Sequence, residues 1–335
     1  MLQLANHTPF AASIAVLPNA QGIDTLYVIV KGTATLQPTI ALAEEQVPVT
    51  MADEYYGDPV HTSLKACSEM HLGKPGTDVL LVGQAWAAEG QPVTESFVSV
   101  KVAERSKHIR VVGDRVWKGG RGCSSPDPFM SIPLTWERTF GGIFIEGDHA
   151  SGEQRNPAGC GFLGDRKPAE FADQLAPNLI DPRESFDRLG DEATPVCFAP
   201  IAPSWLPRRT FAGTYDNNWQ TKRAPYLPDD FNARFFHCAV PELCFDRYLQ
   251  GGEPIEVHGA SANGPLLFNL PAPRLAIDIM VAGSNEQPPA NLETLLIEPD
   301  ANRICFTWRA ALPCDRKALK VEKVTVNLAG ARSRA

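Results

Sequence analysis

A chain of 335 residues and 36.5 kDa, 44% hydrophobic and 21% charged, is long and apolar enough to bury a core, as one large β domain or about two ordinary ones. Its 29 prolines and 26 glycines are dispersed rather than clustered, which excludes a helical bundle or a coiled coil and favours short strands joined by turns. The net charge of −8 lies almost wholly in residues 1–100, with three lysines, no arginine and ten carboxylates, and no basic run marks a nucleic-acid binder.

In chain order, residues 1–113 read as an N-terminal β region. Ala12–Leu17 is an apolar run closed by Pro18-Asn19, and Thr25–Leu36 is rich in β-branched and aromatic residues. Asp78–Ala87, Glu95–Val102 and His108–Val112 follow, with period-two alternation clearest in Phe97–Val102. The basic stretch Lys101–Arg121 reads as the solvated face of two strands. Residues 114–250 show no sustained period and hold fourteen prolines and four of the six tryptophans, as expected of a loop-rich insertion packed on the sheets. Two short helices are predicted there, Ala169–Leu175 and Glu242–Gln250, the second from Pro241 at its start and Gly251 past its end. Residues 251–335 return to strands: Pro254–Val257, Pro265–Leu270, Leu275–Val281, Leu292–Ile297, Arg303–Arg309 and Leu319–Val326. In the last of these, Val321 falls on the opposite face from Val324 and Val326. The fold class predicted is mostly β: antiparallel, sandwich-like sheets carrying a long loop-rich insertion with short helices, in one composite domain over 1–328.

The first basic residue is Lys31, so no charged leader of a secretory signal precedes it, and the longest apolar stretches fall far short of the ~20 residues that span a bilayer. The expected location is the cytoplasm, with no membrane partner. The eight cysteines never form a CxxC and read as free thiols of a reducing compartment.

Catalytic motifs are weak. Gly159-Cys160-Gly161-Phe162-Leu163-Gly164 is a literal GxGxxG, but no strand precedes it and Lys167-Pro168 follows almost at once, so it reads as turns and no cofactor is expected. His237-Cys238 with Cys244 and Asp246 matches no zinc spacing, and no metal is expected. His7, His61, His71, His149 and His258 sit near polar or turn residues and read as surface groups. There is no GxSxG elbow, and Asp229-Asp230 reads as a turn and cap pair. The expectation is a protein without catalytic residues. The alternative is a carbohydrate-active or peptidoglycan-directed hydrolase using carboxylates of the central region.

Six ordered strings carry a family resemblance: Lys74-Pro75-Gly76-Thr77-Asp78-Val79-Leu80-Leu81, Gly113-Asp114-Arg115-Val116-Trp117, Pro133-Leu134-Thr135-Trp136-Glu137-Arg138-Thr139-Phe140-Gly141-Gly142, Asn156-Pro157-Ala158-Gly159-Cys160-Gly161, Gly213-Thr214-Tyr215-Asp216-Asn217-Asn218-Trp219, and Leu227-Pro228-Asp229-Asp230-Phe231-Asn232-Ala233-Arg234-Phe235-Phe236. They resemble the bacterial domain of unknown function 2169, with Trp136, Thr139 and Ala158 departing from its usual pattern by volume-tolerant changes. The resemblance implies a type VI secretion adaptor or chaperone that holds an effector protein and helps load it onto the VgrG spike; a baseplate-like structural component is the further alternative. The family supplies no catalytic residues to carry over. Its motifs single out Arg115, Trp117, Arg138, Asn156, Gly159, Gly161, Asp230, Phe231 and Arg234 as structural positions. Trp205, Arg208, Arg209, Trp219 and Tyr226 combine the aromatic and arginine character of interface anchors and are the candidate partner-binding residues.

Overall fold

The computed structural model describes residues 3–147, 149–315 and 320–329. It is mostly β, as the turn-rich composition predicts. The strand Asp24–Thr35 is its axis. All but the two end residues of this strand are buried, which is why its sequence reads as a nearly unbroken β-branched and aromatic run. It pairs antiparallel with Ala11–Pro18 on one side and with Arg303–Pro313 on the other, from Arg303 opposite Thr35 to Pro313 opposite Thr25. Asn291–Glu298 and Asp78–Leu81 extend the sheet beyond Arg303–Pro313. Segments from both ends of the chain therefore share one sheet.

A five-stranded sheet lies over it in the order Leu179–Ile180, Arg105–Val112, Glu95–Val102, Pro254–His258 and Leu266–Asn269. The main core fills the space between, joining Val79, Leu295, Ile304 and Phe306 of the first sheet to Val98, Val100, Ile109 and Val257 of the second. On the other side of the axial strand, Leu26, Val28 and Val30 pack against Ile277, Ile279, Val324 and Val326 of a four-stranded sheet. The insertion adds Trp136, Phe198, Trp205, Leu243 and Phe245 to the main core and builds a small core of its own around Trp117, Phe140, Phe171 and Phe186.

Several expectations need correction. Three strand pairs are parallel: Asp78–Leu81 beside Thr294–Ile297, Gln3–Asn6 beside Lys323–Val326, and the short pair Phe140–Gly141 beside Cys160–Gly161. Val321 is buried with Val324 and Val326, because Met280 faces Lys323 while Val281 faces Val321, so Glu322 is the extra residue of a bulge that flips the face. The helix predicted over Ala169–Leu175 is a 3-10 turn, Pro168–Phe171, and Asp173 beyond it takes a left-handed φ of 64°. The helix predicted over Glu242–Gln250 is a 3-10 turn, Pro241–Leu243. Its continuation is prevented because Cys244 bridges Asp78 and the Phe245 amide donates to the Thr77 carbonyl at 2.8 Å. An α-helix that the sequence patterning does not predict forms over Asn217–Lys222.

The remaining departures are in side-chain placement. Lys107, assigned to a solvated face, is buried and bonds Glu242 at 2.9 Å. His71, read as a surface group, is largely enclosed and stacks on Phe236 with ring centroids 5.0 Å apart. All eight cysteines are free. Among the described residues no helix is long and apolar enough to cross a membrane.

Candidate functional site

The partner-binding residues expected from sequence divide into two groups. Trp205 and Arg208 are core. Trp205 is 4% exposed and meets Trp136 edge-on at 5.9 Å, while Arg208, 7% exposed, donates to the carbonyls of Ile201 at 2.6 Å and Phe235 at 3.0 Å. An anchor has to reach the partner, so these two residues drop out of the binding set.

Arg209, Trp219 and Tyr226 remain at the surface and belong to one shelf. Two 3-10 turns, Arg208–Phe211 and Ala233–Phe236, lie side by side, joined by the Asn232 amide on the Phe211 carbonyl at 3.0 Å and by the Arg234 guanidinium 4.4 Å above the Phe211 ring. Next to them the helix Asn217–Lys222 starts at Asp216, whose carboxylate accepts the Trp219 amide at 2.8 Å as an N-cap. The Trp219 indole donates to the Tyr226 carbonyl at 2.8 Å, and the Tyr215 ring meets it edge-on at 4.7 Å. Arg223 ties the shelf to the turn before the axial strand by donating to the Ala20 carbonyl at 2.5 Å, and the Tyr226 ring covers Gly22. Asp230 accepts the Thr214 amide at 2.9 Å and its hydroxyl at 2.7 Å; these bonds, the backbone one first, hold its carboxyl below the usual carboxylate range. Phe231 packs edge-on against Phe235 at 5.8 Å.

Tyr215 and Tyr226 are 53% and 41% exposed, and Trp219 is half-buried. Among the described residues, none of Arg209, Lys222 and Arg234 forms an ion pair with a carboxylate: Arg209 donates to Gln154 and Arg234 to Asn232. In a chain of net charge −8, residues 205–236 hold five cations against Asp216, Asp229 and Asp230. Exposed aromatic and arginine side chains are the residue types enriched at interface centres.

The other family-motif residues hold the insertion together. Buried Arg115 bonds Asp187 at 2.8 Å and the carbonyls of Pro177 and Phe186 at 3.1 and 3.3 Å, while Trp117 is fully enclosed beside Phe186. Arg138 reaches Asp114 at 2.6 Å and Asn178 at 3.0 Å. Asn156, wholly buried, donates to the carbonyls of Trp136 and Phe140 at 2.8 and 2.9 Å. Gly159 packs so closely on this segment that a Cβ there would lie 2.3 Å from the Asn156 amide nitrogen and 2.7 Å from the Thr139 carbonyl. Gly161 takes a φ of 86°, which a side chain disfavours.

The Lys74–Asp78 string ends in two charges with no solvent contact of consequence. Lys74 Nζ lies 2.6 Å from Asp78 Oδ2 and 2.8 Å from Thr294 Oγ1. Asp78 also meets His237 Nδ1 at 2.5 Å and accepts the backbone amide of Cys238 at 2.8 Å. Burial by itself would raise the Asp78 carboxyl, but the Lys74 ammonium and the His237 contact outweigh it and hold it well below the usual range. Burial would likewise lower Lys74, and the Asp78 carboxylate reverses that. The sequence-based cluster around His237, Cys238 and Cys244 thus has the wrong carboxylate. Asp246 is exposed beside Arg105, and it is Asp78 whose oxygen lies within 4.8 Å of ligand atoms of His237 and Cys244. Nothing in the local spacing signals this, since 159 residues separate Asp78 from His237. The arrangement is an ionic lock between the Asp78–Leu81 strand and the end of the insertion.

A family model described as an uncharacterized protein conserved in bacteria (DUF2169) matches residues 21–309. No curated protein and no solved structure matches.

Proposed function

The chain belongs to the bacterial family DUF2169, and from that membership we propose that it is a non-enzymatic adaptor, a chaperone that holds a type VI secretion effector in the cytoplasm and helps load it onto the VgrG spike. The observation that supports a binding role is the shelf of Tyr215, Trp219 and Tyr226, together with Arg209, Lys222 and Arg234, which have no carboxylate partner among the described residues. Aromatic and arginine side chains that are already positioned lose little entropy on binding and desolvate well. Arginine–carbonyl bonds hold the loops that carry them, Arg208 on Ile201 and Arg223 on Ala20.

The test is co-expression of the chain with candidate type VI effector and VgrG spike proteins, followed by affinity capture and titration of the purified pair. The parent is expected to retain one or both. A variant carrying Trp219→Ala and Tyr226→Ala, checked for unchanged thermal unfolding, is expected to lose ~2 kcal/mol or more of binding. Recovery of neither protein while the secretion system is expressed would overturn the adaptor reading. Full binding by the folded double variant would move the interface off this shelf.

A further inference from the structure

Away from the shelf, a short parallel pair joins Phe140–Gly141 to Cys160–Gly161, and Gly141, Gly142 and residues 157–161 form the floor of an open cleft of about 430 Å³. The floor is largely backbone, because Gly141, Gly142, Gly159 and Gly161 present no side chains. A ligand's main chain can approach such a floor closely. One wall is the strand Ile143–Glu146, which pairs with His149–Gly152 on one side and with no other strand among the described residues. Ile143 and Ile145, two residues apart on one face of that strand, are 40% and 62% exposed, and Val60 across the cleft is 65% exposed. Three β-branched side chains left in water around one opening form an apolar patch with no partner among the described residues.

Arg166 stands in the same cleft. Its guanidinium lies 4.3 Å above the Phe171 ring and 5.3 Å from that of Phe144, with Nε donating to the Leu163 carbonyl at 3.2 Å and Nη2 to the Phe162 carbonyl. It makes no ion pair among the described residues. The nearby carboxylates are engaged elsewhere: Asp165 faces His149, and Glu170 accepts the Lys167 amide at 2.9 Å. Partial burial draws the guanidinium below its ordinary range, with the Glu170 carboxylate opposing the shift. The remaining face of the group is a preorganised fork for a carboxylate.

We propose that this cleft binds an extended peptide segment of a partner protein, which adds along the free edge of Ile143–Glu146, seats apolar side chains on Ile143, Ile145 and Val60, and places a carboxylate on Arg166. Strand addition accounts for the open edge and the glycine floor, and the two-residue spacing of the isoleucines matches the side-chain period of an extended ligand. The inference is independent of the secretion role: it concerns what this cleft holds, whichever proteins the chain carries.

The test selects random peptides with free C-termini on the full chain, with counter-selection on Ile145→Lys, and measures the enriched, fluorescein-labelled peptides by anisotropy. The expected products alternate apolar residues and carry Asp, Glu or the terminal carboxylate at a fixed distance from them. Amidating that carboxylate is expected to weaken binding to the parent by about 10-fold or more, the scale of a hydrogen bond to a charged group, and to change nothing on Arg166→Gln. Reading the loss as a peptide–protein cycle keeps the result interpretable if Arg166→Gln loosens the fold. Failure to enrich any peptide, equal binding to Ile145→Lys, or equal effects of amidation on parent and Arg166→Gln would each overturn the proposal. Complete displacement by butyrate would overturn it in favour of a small carboxylate ligand.

Discussion

Replacing Asp78 with asparagine tests whether the buried ionic lock holds the insertion to the sheets. Asn has nearly the same shape, so packing is preserved, but every close polar neighbour of the carboxylate has a proton to donate: Lys74 Nζ at 2.6 Å, His237 Nδ1 at 2.5 Å and the Cys238 amide at 2.8 Å. The new amide can keep its oxygen toward Lys74 and Cys238 and its N–H toward His237 only if the imidazole presents a bare Nδ1, and the Lys74 ammonium is left buried without its counter-ion. Breaking a buried pair by removing one partner costs about 3–5 kcal/mol, a large share of the ~5–15 kcal/mol that holds a folded protein. The assay is urea unfolding of the parent, Asp78→Asn, Lys74→Met and the double variant. A coupling of about 2 kcal/mol is expected, because Lys74→Met removes the stranded charge that makes Asp78→Asn so costly. The lock also carries a pH signature. The Asp78 carboxyl is held far below its unfolded value, so the folded state binds fewer protons. The stability it supplies is complete above the unfolded pKa of about 3.9 and is lost as pH falls below it. A loss under about 1 kcal/mol for Asp78→Asn, or strict additivity in the cycle, would refute the reasoning.

Three further expectations follow from the same packing. His71 is held neutral, well below its ordinary range, by burial first and then by Arg309 and Lys74, so unfolding takes up a proton below about pH 6.5 and stability falls as pH drops through that point; thermal unfolding of His71→Phe from pH 7.5 to 5 is expected to show a flatter profile than the parent, and an equal slope would count against it. Trp205→Ala empties a core site and is expected to cost about 3–5 kcal/mol in denaturant unfolding, whereas Tyr226→Ala on the shelf should cost less than about 1 kcal/mol; similar losses for the two would contradict their assignment to core and surface. Gly159→Ala forces a Cβ against the Asn156 side chain and the Thr139 carbonyl and is expected to cost about 1–3 kcal/mol, while Gly120→Ala, with open space around it, should be close to neutral in the same assay.

Local chemistry made the strands readable. Glu95–Val102 and Leu275–Val281 lie where alternation puts them, because each has one face on a core and a pleat of period two. Elements decided by distant partners were not readable. Val321 is buried through a bulge that shows only in its pairing with Val281. The helix expected after Pro241 does not form because Cys244 and Phe245 bond to the Thr77–Asp78 segment. The candidate site follows the same division. Trp205 and Trp219 have equal sequence claims to an interface, and only the edge of Trp136 against one and the short capped helix under the other separate core from surface. Asp216 ahead of a stretch free of Pro and Gly was the available signal for that helix. The Lys74–Asp78 string was visible, but its partner His237 was not, since no local spacing links residues so far apart.

The axial strand also sets an order of events. Asp24–Thr35 is synthesised well before Arg303–Pro313, the strand that completes one of its two long edges. Until then, a stretch of uncharged β-branched residues, with Lys31 its sole cation, waits on the ribosome with unpaired backbone groups along one side. Pairings this distant in sequence form slowly, and a nascent chain in that state is open to self-association. Any chain terminated before residue 303 lacks the strand that closes this edge, and such a fragment is expected to partition to aggregates or proteolysis rather than persist as a partly folded product.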